Sequence, residues 1–466
     1  MAAHGTGGHT VIWSVPSITP FKTNPADFVL KRCPRIAVKN FRKVGTAVIA
    51  AMLGIAIATA GSVVLQAQGS DMSGLIKMHV PAPEFPQPMN SLFVSSPSLP
   101  SPTVEGGTTG VPPPQPNPQP QPGADFSAPG VEWINSQPLT MAGLRGKVVL
   151  VDFWEYTCIN CIRTFAENKK WYERYHKYGF EIIGVHCPEF DIAYRVRNVR
   201  AAVKRFGLPY PVVVDDGFVI WNAYHNSTWP NRFLIDAKGY VRYDRSGEGA
   251  DGALEHAIQQ LLQEAHPRLK FPASYTIPPD KNAFAPSCGV TTPEMYVGDW
   301  GGRGILSNMQ GYHKGKTIDY TLPPSVADGY AAVSGRWETD EGPNGHRSNG
   351  MIYRGKKKGQ GPSHDELEMR YHARELYSVM NVEHGHPERV YIRQDGKDLT
   401  PQNKGVDVRF DENGHSYIEV REPRMYYLVA NPSFGSHKVE LFPASPGLTI
   451  NSFTFGNDCQ TNFPHL

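Results

Sequence analysis

The sequence predicts an N-terminal membrane span, an α/β domain with a mixed central sheet, and an all-β sandwich or jelly roll after it. Three observations carry this. Val44 to Leu65 is uncharged and apolar; from residue 128 to 265, β-branched runs alternate with helical periodicity; from residue 288 short alternating runs are separated by Gly, Asn, Asp and Pro. A length of 466 residues suits two to four domains, and a formal net charge of +2 leaves no global field to attract nucleic acid.

Residues 1–43 lack periodicity and read as a disordered cytoplasmic tail. The following apolar run, 44–65, spans roughly 33 Å at ~1.5 Å per residue, enough to cross a bilayer. Lys31, Arg32, Arg35, Lys39, Arg42 and Lys43 precede it, which holds the N-terminal side in the cytoplasm and sends the rest outward. A cleaved signal peptide ending near Ala58-Thr59-Ala60 is the alternative; the long preceding segment favours an uncleaved single-pass anchor in a bacterial inner membrane, with the folded domains in the periplasm or outside the cell. Residues 66–127 are rich in Pro, Ser and Gln and read as a polyproline-like spacer with a reach on the order of 100 Å.

Within 128–265 the pattern predicts strands at 147–154, 180–186 and 211–214, helices at 158–178 and 192–206, a hairpin across Ala237-Lys238-Gly239, a closing helix at 254–265 and an edge strand near 130–135. Residues 266–287, with five prolines, form a second linker. The β domain then covers 288–466, with strands expected at 367–373, 390–393, 417–420, 425–429, 438–442 and 449–455.

The chemistry-bearing stretch is the apolar run 148–154 followed by Glu155-Tyr156-Thr157-Cys158-Ile159-Asn160-Cys161. Thiols at i and i+3 at a strand-to-helix junction share one helical face, and the helix N-terminus stabilises a thiolate there. Reversible two-electron redox is the preferred reading, with half a zinc site or two inert thiols as alternatives. Zinc would need two further ligands at short spacing, and the chain has neither a second Cys-x-x-Cys nor a His-x-x-x-His, so no metal is expected. The redox-active Cys158–Cys161 disulfide is then the only cofactor expected. Cys33 falls on the cytoplasmic side. Cys288 and Cys459 bracket the β domain and are candidates for a structural disulfide in an oxidising compartment.

Residues 128–265 resemble the thioredoxin-like domain of the TlpA/ResA/DipZ group of membrane-tethered thiol-disulfide oxidoreductases. The resemblance is densest in Trp154-Glu155-Tyr156-Thr157-Cys158-Ile159-Asn160-Cys161, in Gly184-Val185-His186-Cys187-Pro188-Glu189-Phe190 and in Trp229-Pro230-Asn231-Arg232-Phe233. Residues 288–466 resemble the β-sandwich that follows this domain in DipZ proteins, through Thr292-Pro293-Glu294-Met295-Tyr296 and Phe453-Thr454-Phe455-Gly456. The resemblance implies an α/β thioredoxin-like domain followed by a jelly-roll-like β-sandwich, tethered by one transmembrane helix.

It further implies Cys158 as nucleophile and Cys161 as resolving thiol. Glu189 lies in the loop after the second strand, which borders the cysteines, and is expected as general base toward Cys161. Pro230 is expected to be cis and to face the cysteines. Trp154, Glu155, Tyr156, Cys187 and Trp229 are expected to line the site, Glu155 opposing thiolate formation and Cys187 being either an inert small residue or a third thiol that traps Cys158. The partners implied are protein disulfides or thiols and a separate membrane electron donor. A thiol-dependent peroxidase on the same fold, and a non-enzymatic surface or glycan-binding protein acting through the β domain, are the alternatives.

Overall fold

The structure, a computed structural model, describes residues 80–85, 132–274, 290–299, 304–342, 350–355, 365–383 and 385–456. The expected tail and span, most of the first spacer, Cys288 and Cys459 lie outside the described residues. Among the described residues no helix is long and apolar enough to cross a membrane.

Chain order in the first domain is β1 (Val80–Pro81), β2 (Glu132–Ile134), β3 (Val148–Trp154), α1 (Ile159–Tyr175), β4 (Phe180–His186), α2 (Val196–Phe206), β5 (Val212–Val214), α3 (Val219–Ala223), β6 (Asn231–Ile235), β7 (Tyr240–Ser246) and α4 (Asp251–Ala265). The sheet order is β1-β7-β6-β3-β4-β5-β2. Strands β3, β4 and β5 run parallel, while β6, β7, β1 and β2 join antiparallel, giving the mixed sheet expected. Every residue of β3 and β4 is buried, which is why both read as mainly apolar runs, interrupted by Asp152 in β3 and by Glu181 and His186 in β4, rather than as alternating ones. Side chains still alternate between faces. Val148, Leu150 and Trp154 pack with α1, α2 and α4 on one side, and Val149, Val151 and Phe153 pack with Ile220, Trp221 and Phe85 on the other.

Helix α2 ends at Gly207, whose φ of 58° is the left-handed conformation of a C-cap glycine and whose N–H reaches the Lys204 and Val203 carbonyls. Gly184 in β4 has a different reason: a Cβ there would lie 2.9 Å from Trp154 Nε1, so the indole can cross the sheet only over a glycine.

Two stretches expected to be spacer belong to the folded domain. Val80 and Pro81 pair with Val241 and Tyr240, Glu84 accepts the Ala142 N–H at 3.1 Å, and Phe85 is buried edge-on to Trp133. At the other end Phe271 packs on Tyr178 with ring centroids 5.3 Å apart, and Gln259 donates to the Pro272 carbonyl at 2.9 Å. Proline content marked both as linkers, yet edge strands and docked tails tolerate prolines because half of their amides face outward.

The second domain contains β8 (Met295–Tyr296), β9 (Thr317–Tyr320), β10 (Ala331–Val333), β11 (Gly335–Thr339), β12 (Met351–Gly355), β13 (Leu367–Val382), β14 (Glu388–Gln394), β15 (Lys397–Asp398), β16 (Arg409–Phe410), β17 (Ser416–Val420), β18 (Arg424–Pro443) and β19 (Leu448–Gly456). It is β-rich as expected, but the ladders form one continuous 12-stranded network instead of two separate sheets. The cause is two long strands. β13 and β18 pair along most of their lengths, with register shifts between Ala373 and Glu375 and between Leu376 and Tyr377. Bulges at such shifts bend strands, so one strand can serve both sides of a core. The expected strands at 425–429 and 438–442 are the two halves of β18, which continues through Pro432 and Gly435.

Candidate active site

Strands β3 and β4 are in parallel register, Trp154 opposite His186, so the loops that follow them leave the sheet at one edge. β6 begins with Asn231 opposite Phe153, which brings the preceding Trp229–Pro230 loop to the same edge; that peptide bond is cis, as expected. Cys158 caps α1 in extended conformation (φ −79°, ψ 109°), and its Sγ accepts the Cys161 N–H at 3.2 Å. Both are free thiols; Cys161 is fully buried and Cys158 half-buried.

Burial pushes the Cys158 thiol up, against the cap effect expected from the sequence. Hydrogen bonds from Cys161 oppose this, while Glu189 and Glu294 add to it by charge repulsion. Cys161 lies well above its ordinary value for three reasons: burial, its hydrogen bond to Cys158, and the negative field of Cys158 and Asp152. Of the two sulfurs, Cys158 is thus the one disposed to be thiolate, with the Cys161 N–H as its donor.

Asp152 was not singled out from the sequence. It is fully buried in β3 beneath Cys161, accepts a hydrogen bond from Asn168 Nδ2 at 2.8 Å, and leaves Oδ1 without a partner among the described atoms. Burial raises it to about 6, opposed by the charge of Arg232, its cross-strand partner, and by Asn168. The signal was there: a lone carboxylate inside a seven-residue strand whose other members are all apolar.

Glu189 acts on the other thiol. Its charge bears on Cys158, whereas the carboxylate that bears on Cys161 is Asp152. The base role expected toward Cys161 therefore fits Asp152 better. Glu189 is pushed well up by burial and by Glu294 and Glu155, and it accepts a 2.5 Å hydrogen bond from the Tyr296 hydroxyl of the β-rich domain.

The remaining lining residues divide sharply. Trp154 and Tyr156 are buried packing groups: Trp154 meets Phe165 and His186 edge-on at 5.2 and 5.0 Å, and Tyr156 stacks on His186 at 5.7 Å. Glu155 turns inward, accepting from the Thr157 N–H at 2.6 Å with His186 Nε2 3.8 Å away, and its charge reaches Glu189 and Glu294. Trp229 is half-buried against Trp221, ring centroids 4.4 Å apart. Cys187 is fully buried on the face of the sheet opposite Cys161 and donates to Asp215 Oδ2 at 3.6 Å. That placement favours the inert reading over a third reactive thiol, because strand alternation turns its side chain away.

The β-rich domain closes over this edge. Phe190 and Ile192 pack with Val379, Tyr296 and Met425. Arg163, two residues beyond Cys161, bridges Glu248 at 3.3 Å and Glu375 of β13 at 3.2 Å, while Glu375 also accepts from the Tyr377 and Tyr427 hydroxyls at 2.8 and 2.9 Å.

Residues 292–456 match the family described as thioredoxin like C-terminal domain, and residues 121–244 match the AhpC/TSA family. Protein DipZ of Mycobacterium tuberculosis is 33% identical over 333 residues, covering 70% of this chain and 41% of its own length. The chain is TlpA/ResA/DipZ-like. It spans about two-fifths of the DipZ relatives, which are longer. Thiol-disulfide oxidoreductase ResA of Halalkalibacterium halodurans is 28% identical, covering 29% of this chain and 74% of the relative. The crystal structure of a thiol-disulfide isomerase from Corynebacterium glutamicum matches 28% of this chain and 90% of its own, at 24% identity and a TM-score of 0.26.

Proposed function

We propose that this TlpA/ResA/DipZ-like chain is a thiol-disulfide oxidoreductase that exchanges disulfides with protein partners through Cys158 and Cys161. The observation that carries the reading is the pair itself: a half-buried cysteine at a helix cap, its sulfur hydrogen-bonded by the amide of a buried second cysteine, with a buried carboxyl group acting on that second thiol. Cys158 loses its proton, and its thiolate attacks a partner disulfide, forming a mixed disulfide and releasing one partner thiolate, which takes up a proton. Cys161 passes its proton to the Asp152 carboxylate and attacks Cys158 Sγ. The second partner thiolate leaves, the partner has gained two electrons, and Cys158–Cys161 is the oxidised product. Run backwards, the same steps oxidise a dithiol. No separate cofactor is required.

The reading extends to a single-pass anchor at 44–65 in the inner membrane, domains on the periplasmic or outer side, and a membrane electron donor that restores the dithiol. The uncharged run and its six preceding cations support the anchor.

The deciding experiment follows reduction of a protein disulfide by the full chain. Wild type turns over, Cys158→Ser is inactive, and Cys161→Ser accumulates a partner cross-linked to Cys158. Peroxide consumption by Cys161→Ser without any disulfide reduction by wild type would favour a peroxidase instead, as the AhpC/TSA match admits. A glycan-binding role has its own observation. The β-rich domain holds a cavity of about 510 Å³ lined by Tyr353, Tyr391 and Phe442 with Arg393, Asp365 and His415. If Cys158→Ala left the cellular phenotype intact while Tyr391→Ala abolished it, that role would prevail.

A further inference from the structure

Between Glu189 and solvent stand two groups that belong to neither the cysteine motif nor its domain. The Tyr296 hydroxyl lies 2.5 Å from Glu189 Oε1 and 3.4 Å from Glu294 Oε2. Glu294 Oε1 in turn accepts from Thr454 Oγ1 of β19 at 3.0 Å. A phenol has one proton to donate. It goes chiefly to Glu189, the nearer acceptor, with Glu294 Oε2 as the more distant second acceptor. Two carboxylates thus share one phenolic proton.

Exposure falls off along the same line. Glu294 is exposed, Tyr296 and Glu189 are half-buried, and Phe190, which follows Glu189 and packs on the Tyr296 ring with centroids 6.0 Å apart, is buried. The contact is thus backed by apolar packing between the domains, with Val379 and Met425 in the same cluster.

We propose that Tyr296 and Glu294, both from the β-rich domain, are positioning residues of the thiol site: through one shared hydrogen-bonded proton they hold Glu189 beside Cys158 and so set how readily that thiol ionises. This assignment rests on the exchange chemistry proposed above. The groups bearing on Cys158 are Cys161 from α1, Glu189 from the loop after β4, and Glu294 from the segment before β8; Glu155 faces both glutamates from the β3–α1 loop. Removing Glu294's charge withdraws a repulsion from the Cys158 thiolate. Removing the Tyr296 hydroxyl takes away the donor that stabilises ionised Glu189, so Glu189 keeps its proton to higher pH and repels the thiolate less. Both changes act in one direction.

The test is iodoacetamide alkylation of the full chain across pH, read at the Cys158 peptide by mass spectrometry, for wild type, Tyr296→Phe and Glu294→Gln. The expected result is a Cys158 midpoint lower by about half to one pH unit in both variants, which is about three- to tenfold faster alkylation below the midpoint, with an unchanged thermal midpoint. An unmoved alkylation midpoint in both folded variants overturns the assignment. Should Tyr296→Phe lose its thermal transition, Glu294→Gln decides alone, since its exposed side chain carries little packing. If wild type fails to exchange disulfides yet the midpoints still shift, the exchange reading falls and the positioning role stands; if wild type exchanges and the midpoints stay, the reverse holds.

Discussion

The floor and the rim of the thiol site are built on different plans. The floor is Asp152, a buried carboxyl group held by Asn168 and faced by Arg232, all from the α/β domain. The rim is Glu189, held by Tyr296 from a separate domain 107 residues away in sequence. A floor made of neighbouring strands forms whenever the sheet forms. A rim made of two domains depends on how they dock, so the same chemical group, a carboxylate, has a fixed setting beneath Cys161 and an adjustable one beside Cys158.

Removing the floor has the largest expected effect. Asp152→Asn should lower disulfide turnover about 100-fold, in the range of a lost general base. In wild type the same step needs ionised Asp152, so turnover should climb as pH rises through about 6 and this limb should be absent in the variant. Stability moves oppositely. A carboxyl group raised from 3.8 to about 6 by folding favours the folded state fully below about pH 4 and loses that contribution as pH rises through about 6. Asp152→Asn should therefore be more stable by about 3 kcal/mol in urea unfolding at pH 7.5, with the gap closing at pH 4.

The next effect tests docking of the two domains. Arg163→Met removes the cation between Glu248 and Glu375 and should cost about 2 kcal/mol, seen as earlier urea unfolding and faster proteolysis between the domains. If Cys158 reactivity changes along with it, the rim depends on docking; if reactivity is untouched, the contrast between floor and rim weakens. Glu189→Gln withdraws a repulsion from the Cys158 thiolate and should lower the Cys158 alkylation midpoint without cancelling the pH 6 limb of turnover, because that limb belongs to Asp152. Cys187→Ser should leave turnover within about twofold, since Cys187 lies on the opposite face of the sheet; a larger loss would bring a third thiol back into the chemistry.

Legibility from the sequence follows how local the cause is. The β3 run, the cysteine cap and the hairpin depend on residues a few positions apart, and each lies where the pattern placed it within a few residues. Helix α3 was missed because five residues carry too little periodicity, its start being set instead by Asp215, which accepts the Val219 and Trp221 amides at 2.7 and 2.8 Å. β18 was split in two because Pro432 and Gly435 suggest a turn, whereas its partner β13 accommodates them by shifting register. Asp152 was readable as an anomaly and was passed over for the more exposed Glu189. Tyr296 was not readable as a site residue at all, since nothing in its own surroundings announces a partner 107 positions earlier.

The short strand β1 has a meaning beyond the fold. A sheet whose outermost strand shows bare amides and carbonyls invites a second molecule to add a strand of its own, the first step toward fibrous aggregation. Here the chain takes that place itself: Val80 and Pro81 lie along Val241 and Tyr240, and the Ala82 N–H closes onto the Gly239 carbonyl at 2.9 Å. Pro81 brings no amide to pass the ladder on, and the rest of β7 carries Arg242, Asp244 and Arg245. The exposed margin of the sheet is thus sealed by a dipeptide of the same chain, more than 150 residues before the strand it covers.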